Sequence, residues 1–301
     1  MIRLSRLIRN QGKFLLENYW HALIAAIALA LLPYTAWLSV AIVALITLRR
    51  GVRDGGFVLI VTVLAYFISL TTLSYKNAAI SSLLTFLPCY LGACVLRLTA
   101  SWRAVAGAFF LQVFLVMLLL QTCAPDFILA QYHYIYTAIK EMQTESVLLD
   151  FINDNDLSPL LLANYLLGVQ AVGVLFSAVL SLFLARSVQS QLFYPGGFSQ
   201  EILGFRAEKI GLLLLAAFLW AASQGNALAM NVLPALIVYF LAAGLSLGFA
   251  LFGRKPIGAL LLIVPIFLVP LVIVPVFVLF GSLDSLFNVR LYISNQADKR
   301  I

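Results

Sequence analysis

The side chains in this sequence that could do chemistry are few and scattered. Its two histidines, His21 and His133, are far apart and fall in segments read on opposite sides of a membrane. That spacing excludes a histidine metal centre or a Ser-His-Asp triad. Cys89, Cys94 and Cys123 show no CxxC spacing, so neither a disulfide framework nor a thiolate metal site is expected. No phosphate-cradling glycine motif and no HExxH is present. Asp154, Asp156 and Ser158 imitate the start of a calcium loop, but its sixth position is Pro159 and its twelfth Tyr165. Glycine and glutamate have geometric roles there, so these charges are read as solvated. The expectation is a non-enzymatic chain with no metal and no cofactor.

What remains is a set of neutral polar and aromatic groups inside apolar runs. Tyr34 and Trp37 follow Pro33, and Gln112, Asn164, Gln170, Gln224, Asn226 and Asn231 are carried by later runs. A buried amide can bond one helix to another or bond a ligand, and the sequence leaves both readings open. Tyr34, Trp37, Gln112, Asn164, Gln170 and Asn231 are the candidate ligand contacts. Small residues recur at four-residue spacing in Ala22, Ala26 and Ala30 and again in Gly244 and Gly248. Such stripes let backbones approach closely and are the candidate helix-docking positions.

The elements that must position these groups follow from composition. Of 301 residues, 63% are hydrophobic and 10% charged, with a mean hydropathy of +1.04. Soluble domains hold about 45–50% and about 25%. A soluble fold is excluded, and backbone in lipid must be helical. The expected fold is all-α, a polytopic transmembrane bundle of about eight or nine segments. Apolar runs cover 21–32, 35–48, 55–73, 78–96, 104–122, 160–185, 210–225, 229–252 and 257–280. As regions, these give a basic amphipathic interfacial helix over 1–19, N-terminal membrane helices over 20–122, an acidic external loop over 123–159, C-terminal membrane helices over 160–285 and a polar tail over 286–301. A surface helix is expected within 127–149.

Residues 21–48 form the anomaly. One helix of that length would be about 42 Å long against a bilayer core of about 30 Å. Crossed once, it would also carry Arg49, Arg50 and Arg53 outside. Splitting it at Pro33 gives two short helices that enter and return, and this reading is favoured over a single tilted, kinked span. Segment 257–280, with Pro265, Pro270 and Pro275, poses the same choice, a kinked span or a broken pair, and the side of the C-terminus depends on it.

The formal charge of +7 is an orientation code rather than a nucleic-acid signal. Basic residues cluster between apolar runs, as at Arg3, Arg6, Arg9 and Lys13 or at Arg254 and Lys255, whereas six of the 12 acids lie in 123–159. The positive-inside rule then puts the N-terminus in the cytoplasm. No apolar run carries a central carboxylate, which disfavours a carboxylate proton relay.

The C-terminal third carries a turn ending GFR at Gly204 to Arg206, a helix reading NVLPALIVYFLAAGLSLGFAL from Asn231, Arg254 with Lys255, and GSLDSLFNVR at 281–290. With Pro33 and LRRG at 48–51, this resembles the YybS-like family of bacterial membrane proteins. That family is distantly similar to the substrate-binding S-components of energy-coupling-factor transporters, whose first helix docks a coupling subunit through an Ala-xxx-Ala surface. The resemblance implies a bacterial inner-membrane protein, with Ala22, Ala26 and Ala30 in a comparable place. The chain departs from it in having more segments and a long external loop.

The leading expectation is a transport-type protein that binds a small molecule between helices near the broken first segment. The alternative is a cell-envelope assembly or scaffold protein, and the third reading is an intramembrane enzyme. Expected partners are the lipid bilayer and a membrane coupling subunit or envelope complex.

Overall fold

The computed structural model describes residues 12–32, 34–70, 75–124, 159–252 and 256–290, with 126–128, 130, 133 and 137 between them. The chain is an all-α membrane protein. Its helices are α1 (Tyr19–Leu31), α2 (Ala36–Arg49), α3 (Val52–Ser69), α4 (Tyr75–Thr99), α5 (Trp102–Cys123), α6 (Pro159–Phe193), α7 (Gly197–Leu203), α8 (Lys209–Ser223), α9 (Ala227–Phe252), α10 (Pro256–Leu268) and α11 (Pro270–Phe287). Six are long and apolar enough to cross a membrane: α3, α4, α5, α6, α9 and α11. The apolar helices α1, α2, α8 and α10 are shorter. Each expected apolar run is therefore a helix, and the last is two.

Residues 1–109 and 173–205 form one compact unit, and 110–172 and 206–301 form the other. The boundary falls within α5 and α6.

In the first unit α1 and α2 are a hairpin. Asn18 caps α1, its side chain accepting from the Trp20 amide at 3.1 Å, and α1 ends at Leu31. Pro33 lies outside the described residues. Tyr34 beyond it has φ 63, a left-handed conformation that costs a bulky residue energy. Helix ends leave carbonyls without partners, and here a hydroxyl reaches one: Thr35 Oγ1 donates to the Leu29 carbonyl at 2.6 Å. Farther back in α1, Ser39 Oγ adds a bond to the Ala26 carbonyl at 2.7 Å, tying α2 to α1. At the far end Arg50 donates to the Leu16 carbonyl at 2.9 Å, so the chain returns to the level at which it started. The first apolar stretch is broken, as its flanking arginines predict, and does not cross as one span.

In the second unit the interruption of 257–280 comes at Val269. Pro270 opens α11, where its missing N–H is no loss, while Pro265 and Pro275 sit inside helices. Helix α11 packs on α9 through glycines: Gly281 lies against Phe240 and Gly244, and the Phe277 backbone and ring lie against Gly244 and Gly248. This order makes the two helices antiparallel. A Cβ on Gly244 would run into the Phe277 carbonyl.

Of the other expected regions, 1–11 and 291–301 lie outside the described residues, as does most of 123–159. The positions described between 126 and 137 are helical.

Candidate functional site

Beside the α1–α2 break, the first unit has an open groove of about 290 Å³ lined by Trp37, Gly173, Phe176, Ser177 and Leu180. Trp37 occupies the first turn of α2, and Ser181 on α6 ties that turn down by donating to the Trp37 carbonyl at 2.9 Å. The lining is apolar except for the Trp37 indole N–H and the Ser177 hydroxyl. Neither makes a hydrogen bond among the described residues. The volume lies just below the range of ligand pockets, about 300–1,000 Å³. Such a lining suits an apolar molecule with one polar end. Tyr34 is 96% exposed and is not among the lining residues.

Ala22, Ala26 and Ala30 are buried at 0%, 0% and 1% exposure, because α1 packs on α2 and α3. The stripe docks helices of this same chain.

The far end of the first unit is pinned by side chains at helix termini. Arg97 donates to the Thr47 and Leu48 carbonyls at 3.2 and 2.7 Å, closing the end of α2. Ser190 holds the turn into α7 by accepting from the Phe198 amide at 3.0 Å. That turn presents Glu201 to a bidentate contact with Arg186 and to the Trp102 indole N–H at 2.9 Å. Partial burial raises the Glu201 carboxyl, but the hydrogen bonds from Arg186 and Trp102 and the Arg186 charge outweigh it and hold the group below its ordinary value. A lowered folded value means that this contribution to stability is present above the ordinary carboxylate value of 4.5 and is lost as pH falls through the folded one. The melting temperature of wild type should therefore exceed that of Glu201→Gln at neutral pH, and the gap should close on acidification. A gap that is constant with pH would contradict this.

In the second unit Asn164 and Asn231 meet, although they are 67 positions apart. Asn231 Nδ2 donates to Asn164 Oδ1 at 3.1 Å, and Gln121 Nε2 approaches the same oxygen at 3.5 Å. Gly168 makes the approach possible, since a Cβ there would sit 2.6 Å from the Asn231 carbonyl. Asn231 Oδ1 is buried and unpartnered. Pro234 also denies the Met230 carbonyl its helical donor. Gln112 keeps its buried amide nitrogen without a partner, and Gln170 is exposed. The amides thus divide: Asn164 and Asn231 bond helices together, and none of the four lines the groove.

A cluster that sequence reading missed surrounds Asp284, which is fully buried in the last turn of α11. Its Oδ2 accepts from Arg290 Nε at 3.1 Å, and Arg290 also reaches Ser246 Oγ on α9 at 3.2 Å. Arg206 donates to the Asp284 and Ser285 carbonyls at 2.8 and 2.9 Å, capping α11. Asp284 Oδ1 and Ser285 Oγ are buried without partners. Hydropathy ends the last run at 280, but α11 continues to Phe287. A buried carboxylate does therefore stand on a helix long enough to cross. The signal was an acid in GSLDSLFNVR with arginine six positions on.

The chain matches no family model, no curated protein and no solved structure. Geometry alone carries the functional reading.

Proposed function

We propose that this membrane protein is a non-enzymatic, transport-type binder that holds a small, largely apolar molecule beside the break in its first apolar stretch. The observation that carries this reading is the groove at Trp37, beside a broken helix pair tied together by the Thr35–Leu29 and Ser39–Ala26 hydrogen bonds. Broken helices at membrane depth recur where transporters bind their substrates. The indole N–H and the Ser177 hydroxyl supply one polar anchor. Membership of the YybS-like family and an inner-membrane location with a cytoplasmic N-terminus belong to the same proposal. The exposed arginines at the Arg49 end of the first unit support that orientation. The scaffold alternative loses support, because the alanine stripe that would dock a partner is covered by the chain's own helices.

Gly173→Leu tests the reading. A Cβ at Gly173 meets nothing within 4 Å, so the substitution fills the groove without displacing backbone. Small molecules that co-purify with wild type, or that raise its melting temperature in a metabolite panel, should be lost from Gly173→Leu while the fold is kept. Equal binding by both proteins would remove the groove from the function.

A further inference from the structure

The basic side chains at the Arg49 end of the first unit fall into two sets. Arg97 and Arg186 are turned inward onto carbonyls and Glu201, and Arg50 is held by the Leu16 carbonyl and the Tyr19 ring. Lys13, Arg49, Arg53 and Arg103 are exposed and make no hydrogen bond or ion pair among the described residues. Arg49 lies over the Phe193 ring at 3.9 Å, which orients the cation without neutralising it.

Contacts place all four at one end. Arg97 joins the end of α4 to the end of α2, and Gln189 on α6 reaches the Leu48 carbonyl at 3.4 Å. Gly12, next to Lys13, packs on Val188 of α6, and Trp102, next to Arg103, is bonded to Glu201. At this end lie two exposed aromatics, Trp20 at 60% and Tyr194 at 72%, the residue types that collect at headgroup depth. Of the acids here, Glu201 is taken by Arg186, leaving Glu17 and Asp54.

We infer that this end is a binding surface for the headgroups of anionic phospholipids, with Arg49, Arg53 and Arg103 as the phosphate contacts. Cations set at the end of apolar helices and lacking partners among the described residues are complementary to a layer of fixed negative charge. None of these residues lines the groove at Trp37, so this surface and the proposed ligand site stand or fall separately.

The test is native mass spectrometry of protein released from nanodiscs of phosphatidylcholine doped with phosphatidylglycerol. Wild type should retain phosphatidylglycerol above its bulk fraction, and added salt should reduce the excess. Replacing Arg49, Arg53 and Arg103 with glutamine should lower the preference by about fivefold for each arginine. Arg53→Gln alone serves if the triple variant fails to fold. Two results would overturn the inference: unchanged enrichment in Arg53→Gln and the triple variant, or displacement of the retained lipid by millimolar inorganic phosphate, which would mark a site for soluble anions.

Discussion

Asp284→Ala should lower the melting temperature of the detergent-purified protein by on the order of 10 °C. Removing one partner of a buried ion pair costs about 3–5 kcal/mol, because the other charge is left without compensation, and a protein of this size shifts by about 2–4 °C per kcal/mol. Here the group that loses its carboxylate partner is Arg290, which also reaches Ser246. The converse change, Arg290→Ala, leaves a carboxylate at 0% exposure and should be at least as harmful. The double variant Asp284→Leu with Arg290→Met should recover much of the loss, since a buried pair replaced by apolar groups is often neutral. A melting temperature unchanged within a degree in Asp284→Ala would show that the pair contributes nothing to the fold.

The second large effect belongs to the α9–α11 crossing. Gly244→Leu should unfold the second unit or leave it unable to pack, because the first atom added meets the Phe277 carbonyl, and backbone cannot rotate aside as a side chain can. Gly244→Ala is the graded form, with a loss of about 1–3 kcal/mol expected from overpacking. Gly173→Ala is the control, adding the same methyl where nothing lies within 4 Å. Thermal unfolding of the three proteins reads the difference, and equal melting temperatures for Gly244→Ala and wild type would refute the tight crossing.

The helices were legible because lipid leaves the backbone no other choice, and apolar length then marks each element. The break near Pro33 was legible too, since a single span would have exported Arg49, Arg50 and Arg53. The break in 257–280 was not, because three prolines competed there and only Pro270 falls at a helix start, the one position where a missing N–H costs nothing. Trp37 could be singled out because it neighbours the break, and it lines the groove there. The meeting of Asn164 with Asn231, and of Trp102 with Glu201, depends on which helices pack together, which spacing along the chain does not encode. Asp284 was overlooked for a different reason: hydropathy measures apolar length, and a carboxylate in the last turn ends the apolar run before it ends the helix.

The hairpin of α1 and α2 also bears on how the protein is made. At 13 and 14 residues, each helix is about 20 Å long, too short to bridge a hydrocarbon layer of about 30 Å. Neither can leave the translocation machinery alone as a stable transmembrane segment. Their stable form in lipid is the pair, held by the Ser39–Ala26 and Thr35–Leu29 hydrogen bonds. A hairpin returns both of its ends to one side, so Arg49 and Arg50 need not be carried across the bilayer to place it.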